Sequence, residues 1–241
     1  MFNRKHKIHS AKEDIMRVVG PQTPFAISES FRTLYTNVLY LPITDKCRKI
    51  AITSAVSGEG KSYISVNLAI TLATTSNKKV LLVDLDIRKP EVKTLIESQI
   101  EGEHSDNGVS EYLVGIDEKP NVLKTTIPNL DVLYSGMVNS NPIGLLNSDR
   151  TNVLFDKLSE SYDYIIVDTP PVTIVTDALL LLNKVNGYIL ATRADYSNIN
   201  SLSLANETIK KVGGAVYGVV LTSVNPKTFG VKKKKYPSEH K

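Results

Sequence analysis

Lys49-Ile-Ala-Ile-Thr-Ser-Ala-Val-Ser-Gly-Glu-Gly-Lys-Ser-Tyr63 decides the fold. An apolar run, Lys49–Ser54, reads as a buried strand, and a helical pattern begins at Lys61 and runs to about Thr75. Between them lie Gly58 and Gly60, which let backbone N–H groups close on phosphate oxygens with no Cβ in the way. The start of the helix adds a favourable dipole, Lys61 can reach the β- and γ-phosphates, and the Ser62 hydroxyl can ligate Mg²⁺. The set expected to hold nucleotide is therefore Ser57, Gly58, Glu59, Gly60, Lys61, Ser62 and Tyr63. Lys61 is expected to face solvent, in a role of charge neutralisation rather than packing. The strict phosphate-loop pattern asks for glycine where Ala55 stands, and the flanking strand and helix compensate for that departure.

Outward from the loop, two further runs end in acids. Val80-Leu-Leu-Val-Asp84 and Tyr164-Ile-Ile-Val-Asp168 read as buried parallel strands, and Asp86 follows the first by two residues. A lone aspartate after a strand usually caps the next helix. Three such acids with a phosphate loop point instead to Mg²⁺ and phosphoryl chemistry. More strands are expected at 130–134, 187–192 and 215–222. Helices are expected at 28–39, 108–114, 142–160, 177–185 and 199–212, with a short capped one from Ser10 to Gly20. The stretch from Glu97 to Asn107 is polar and reads as a mobile loop. Alternating strands and helices give an α/β fold of P-loop NTPase type, a mostly parallel central sheet with helices on both faces. Three segments are expected: a basic N-terminal segment, 1–24; an ATP-binding domain, 25–225; and a disordered Lys-rich tail with one tyrosine, 226–241.

Composition narrows the class. The chain has 241 residues, 41% of them apolar, which suits one globular domain. Its only cysteine, Cys47, excludes an internal disulfide and any cysteine cluster, and suits a reducing cytoplasm. No run of eighteen apolar residues suggests a membrane span. The net charge of +4 belongs to the ends: setting apart the 9 basic residues and 1 acid of segments 1–12 and 232–241 leaves 20 basic and 24 acidic residues. Such ends suit anionic lipid or an acidic partner, or are simply solvated. No nucleic-acid partner is expected.

The stretches Ser54–Ser62, Leu82-Val-Asp-Leu-Asp-Ile-Arg-Lys-Pro90 and Tyr162-Asp-Tyr-Ile-Ile-Val-Asp-Thr-Pro-Pro171 together resemble the bacterial tyrosine kinases of capsular and exopolysaccharide synthesis. Asn141-Pro142, Leu145-Leu146 and Asp177-Ala178 add to the likeness, which spans about residues 25–225. The resemblance implies an ATP-dependent, autophosphorylating protein-tyrosine kinase regulating polysaccharide synthesis and export. Its implied catalytic set is Lys61, Asp84, Asp86 and Asp168. Ser62, Asp84 and Asp168 would arrange Mg²⁺, and Asp86 would orient or deprotonate the acceptor hydroxyl. It also implies protein substrates, a transmembrane adaptor whose cytoplasmic tail activates the kinase at the inner membrane face, a homo-oligomer, and room for a partner tyrosine phosphatase.

Three positions depart from that family's pattern. The oligomer motif Glu-x-x-Arg-x-x-Arg reads Glu29, Arg32, Tyr35, so a weaker ring through Glu29 and Arg32 is expected. Thr222 stands where relatives often carry asparagine near the base. The C-terminal tyrosine cluster is reduced to Tyr236, the expected phosphosite. Two alternatives are an ATP-switched positioning ATPase and a regulatory scaffold with little kinase activity. Positioning ATPases carry an extra lysine early in the phosphate loop, where this chain has Val56.

Overall fold

A computed structural model describes residues 18–138, 141–194 and 196–224. The expected Ser10–Gly20 helix lies almost wholly outside the described residues, as does the tail with Tyr236. The elements in chain order are α1 (Phe25–Leu39), β1 (Arg48–Ser54), α2 (Lys61–Thr75), β2 (Val80–Asp84), α3 (Val92–Ile96), α4 (Val109–Val114), β3 (Leu123–Lys124), β4 (Leu130–Leu133), α5 (Pro142–Leu146), α6 (Asp149–Ser161), β5 (Tyr164–Asp168), β6 (Gly187–Arg193), α7 (Ile199–Lys211) and β7 (Val216–Thr222). Two 3₁₀ turns, Glu97–Gln99 and Asp177–Leu181, interrupt the series.

The strands form one seven-stranded sheet in the order β3-β4-β2-β5-β1-β6-β7. Every pairing is parallel except β3 with β4. Strand side chains alternate between faces, and the burial follows that period. Ile50, Ile52, Val80, Leu82 and Ile166 pack beneath α1, α2 and α3. Ala51, Leu81, Val83, Ile165 and Val167 face the opposite layer, with Leu154, Phe155 and Leu158 of α6 and Ala205 and Ile209 of α7. Both faces are therefore apolar, as a fully covered parallel sheet requires. Parallel strands end at the same rim, so β1, β2 and β5 deliver Ser54, Asp84 and Asp168 to one edge, where Asp84 and Asp168 lie side by side in register.

Three expectations are corrected. The single helix 142–160 is two helices, α5 and α6. Ser148 breaks the ladder by donating its hydroxyl to the Leu145 carbonyl at 2.7 Å, and buried Thr151 donates to the same oxygen at 2.8 Å. The helix at 177–185 is a 3₁₀ turn, because Asp177 is drawn toward Arg88 and the Ala178 carbonyl accepts the Tyr188 hydroxyl at 2.8 Å. The polar stretch after α3 opens as a 3₁₀ turn rather than a plain loop and is pinned. Glu97 accepts the Tyr134 hydroxyl at 2.9 Å and pairs with His104, and Lys93 pairs with Asp106.

β7 closes one edge of the sheet with Val219 and Leu221 exposed, and two-residue β3 closes the other. Leu82, fully buried in the middle of β2, measures how far the core supports this rim. Leu82→Ala is expected to lower unfolding free energy by about 2–5 kcal/mol in urea titrations, whereas exposed Tyr40→Ala should stay within about 0.5 kcal/mol.

Candidate active site

After Ser54 the chain turns sharply and enters α2 at Lys61. Gly58 and Gly60 hold φ of 84° and 85°, a region that costs a side-chain-bearing residue roughly 1–2 kcal/mol. A Cβ on Gly60 would also stand 3.3 Å from the Thr222 methyl. Ala55 is not among the residues with positive φ, so glycine is not needed there, which accounts for the departure from the strict pattern. No side chain caps α2 at Gly60, so the first-turn N–H groups of this fifteen-residue helix remain open to an anion.

The acids gather around Lys61. Its ammonium lies 2.8 Å from Asp86 and 3.8 Å from Asp168. Asp168 is completely buried and accepts the hydroxyls of Ser62 at 2.6 Å and Ser65 at 3.0 Å. Lys61 itself is only 8% exposed, which corrects the expectation of a solvent-facing lysine. Burial pushes its pKa down, but Asp168 and Asp86 outweigh that, and the net shift is upward. Burial also pushes Asp168 up, against the pull of Lys61 and the two serines.

Asp84 differs from the other two. Its carboxylate accepts the backbone N–H of Asp86 at 3.0 Å and of Val92 at 3.2 Å. Burial, then the charge of Asp168, raises its pKa well above the carboxylate range. It shapes the loop that carries Asp86, while Asp86 faces the lysine and accepts the Lys89 N–H at 3.0 Å. A cleft of about 190 Å³ opens between Ser57, Gly58, Gly60, Lys61, Asp86 and Arg88.

The remaining expected residues fall on the flanks. Tyr63 meets Phe31 edge to face at 5.7 Å and, with Thr222, lines an apolar cavity of about 450 Å³. Glu59 has its backbone in the cradle but its side chain fully buried, turned into the core. Glu29 and Arg32 pair with each other on the exposed side of α1 at 2.6 Å, rather than standing free. Sequence reasoning missed Ser65, although four residues past Lys61 on a helix is the same face. It also missed the two-bond pair of Arg88 with Asp177, at 2.7 and 3.1 Å, which ties the loop after β2 to the segment after β5.

The donor set suits Mg²⁺. Among the described residues no three His, Cys, Asp or Glu side chains converge as a metal cage. Magnesium instead takes one or two protein oxygens, with the rest from water and phosphates. Ser62 beside Asp168 is such a pair.

Residues 47–216 match the profile of the AAA domain family. The chain is 32% identical over 199 residues to the putative tyrosine-protein kinase CapB of Staphylococcus aureus, covering 82% of this chain and 85% of that protein. Among solved structures, the chimerical protein CapA2B2 superposes with a TM-score of 0.74 at 33% identity, over 83% of this chain and 85% of that one. The kinase domain of the Escherichia coli tyrosine kinase ETK gives 0.73 at 29%, over 82% and 77%.

A buried lysine between two carboxylates has a structural role of its own. Lys61→Met is expected to abolish phosphoryl transfer in a radiolabel assay. It should also lower the stability of the nucleotide-free protein by about 3 kcal/mol or more, read by urea titration, because buried Asp86 and Asp168 lose their cation.

Proposed function

The chain belongs to the P-loop bacterial tyrosine kinases of capsule and exopolysaccharide synthesis and is a protein-tyrosine kinase; we propose that it transfers the γ-phosphoryl group of Mg-ATP through the Lys61, Asp86 and Asp168 cluster. The observation that supports this most directly is Lys61, held 2.8 Å from Asp86 at the rim where three parallel strands end.

The α2 N-terminus and the Gly58–Gly60 backbone bind the phosphates, and Lys61 neutralises charge developing on the transferred group. The chemistry Mg²⁺ would supply here is neutralisation of phosphate charge. Ser62 and Asp168 would hold it, and Asp84 would contribute by fixing the loop beside them. In the free protein Asp86 is paired with Lys61. Phosphate oxygens offer the lysine a second partner, which frees Asp86 to orient the acceptor phenol. That phenol has a pKa of about 10 in free tyrosine, so a positioned carboxylate is needed to accept its proton near neutrality. The apolar cavity beside Tyr63 and Thr222 supports seating of the adenosine half there, with Thr222 in place of the asparagine frequent in relatives.

Regulation follows from the family. Among the described residues no helix is long and apolar enough to cross a membrane. The placement read from the family is at the inner membrane face, through a transmembrane adaptor whose cytoplasmic tail activates the site. Residues 1–24 and 226–241 flank the kinase domain, 25–225. The tail supplies Tyr236 as a phosphosite, and phosphate there would add about −1.5 to −2 charges beside Lys232–Lys235. Homo-oligomers form through the α1 surface bearing Glu29 and Arg32. Protein substrates, and a phosphatase that reverses the modification, complete the cycle.

With γ-labelled ATP, Asp86→Asn is expected to reduce label transfer about 100-fold or more while Mg-ADP affinity changes by only a few-fold. Equal loss of nucleotide binding and transfer would remove Asp86 from the acceptor side. Mass spectrometry of the chain incubated with ATP and an adaptor tail peptide should find phosphate on Tyr236, and Tyr236→Phe should lose most of the label. Undiminished label in that variant, or activity indifferent to the peptide, would contradict the assignment.

A further inference from the structure

Glu59 lies between the two glycines of the phosphate cradle, yet its carboxylate points away from the cleft. It is 0% exposed, and among the described residues no lysine, arginine or histidine pairs with it. A buried carboxylate without a cation is costly unless hydrogen bonds compensate. Here the donors are all neutral. Oε2 accepts the Val56 N–H at 2.8 Å; Oε1 accepts the Thr192 hydroxyl at 3.3 Å and the Ser197 hydroxyl.

The same stretch of loop is tied down at two more points. The Thr222 hydroxyl donates to the Glu59 carbonyl at 2.9 Å, and the Tyr196 phenol donates to the Ser57 carbonyl at 3.3 Å. Thr192 is the penultimate residue of β6, Thr222 ends β7, and Tyr196 and Ser197 lie between β6 and α7. The Ser197 oxygen also accepts the Arg193 N–H at 3.1 Å, so the turn is itself held in shape.

We propose that Glu59 is a positioning residue for nucleotide. Its side chain clamps the phosphate cradle to β6 and the turn that follows it, while its backbone carbonyl holds the end of β7, and together they fix the curvature with which residues 56–60 meet the phosphates. The clamp works through hydrogen-bond acceptance, not through negative charge. A glutamine can therefore replace it: its carbonyl takes the Val56 N–H, and its amide donates to the Thr192 and Ser197 hydroxyls, which rotate to accept. Alanine strands all three donors, of which the Thr192 hydroxyl is buried and the Val56 N–H and Ser197 hydroxyl are part-buried. Because the clamp lies on the phosphate side of the cleft and Asp86 on the acceptor side, nucleotide affinity should respond and acceptor affinity should not.

The inference rests on the reading of this cradle as an ATP site, so the test begins with the unmodified full chain. Failure of the unmodified chain to bind Mg-ADP sinks both the ATP reading and this clamp. The clamp itself is tested by titrating Mg-ADP and by steady-state transfer to a tyrosine peptide. Glu59→Ala is expected to raise the Kd for Mg-ADP and the KM for ATP about tenfold or more, with the peptide KM unchanged. Glu59→Gln should recover most of that loss. Ser197→Ala, in a surface turn where folding is not at risk, should weaken Mg-ADP binding by a smaller factor and add little on top of Glu59→Ala. The proposal is overturned by undiminished affinity in Ser197→Ala and Glu59→Ala, by Glu59→Gln falling as far as Glu59→Ala, or by a peptide KM that rises with the ATP KM. If Glu59→Ala does not fold, Ser197→Ala and Glu59→Gln decide alone.

Discussion

The Asp168 carboxylate is the constraint on which the site depends. It is buried without exposure at the end of β5, between β1 and β2, and it accepts Ser62 and Ser65 while standing 3.8 Å from Lys61. Its backbone carbonyl takes the Leu85 N–H at 2.8 Å, which starts the loop leading to Asp86. One residue thus fixes the first turn of α2, the lysine and the second acidic loop relative to one another. A charge so deep is tolerable only because hydroxyls and a cation surround it. The packing of the two sheet faces exists, from the site's point of view, to keep that rim in place.

Much of this was readable in the residues. β2 and β5 and helix α2 have the bounds the hydrophobic runs suggest, because buried parallel strands leave an unbroken apolar signal and glycines mark the turn. The convergence of Lys61, Asp86 and Asp168 followed from strand-end position, since parallel strands share a rim. The burial of Lys61 was not readable: a lysine after a glycine pair gives no sign that two acids will enclose it. The two-residue strand β3 was also hidden, as it forms only by pairing with β4. Splitting of the 142–160 segment depends on where the Ser148 and Thr151 hydroxyls point, which a helical period does not encode.

The three aspartates show how one residue type takes different roles at one rim. Asp84 spends both oxygens on backbone N–H groups, Asp168 binds hydroxyls, and Asp86 meets the ammonium. Spacing plus resemblance already set Asp84 toward Mg²⁺ and Asp86 toward the acceptor hydroxyl; the structure adds that both oxygens of Asp84 are taken by backbone N–H groups. The partners of Asp84 and Asp86 separate a residue that shapes a loop from one that faces the lysine in the cleft.

The two edges of the sheet constrain how copies of this chain can associate. A head-to-tail array needs two different, mutually fitting surfaces on each subunit, whereas a twofold contact needs one surface that fits itself. β7 is seven residues long and bordered on one side only, while β3 is a two-residue antiparallel stub. Among the described residues, strand pairing could therefore join only β7 to β7, which closes after two copies. A ring of higher order cannot be built by continuing the sheet. Its cyclic symmetry must come from helix faces such as α1, where Glu29 and Arg32 would first have to give up each other.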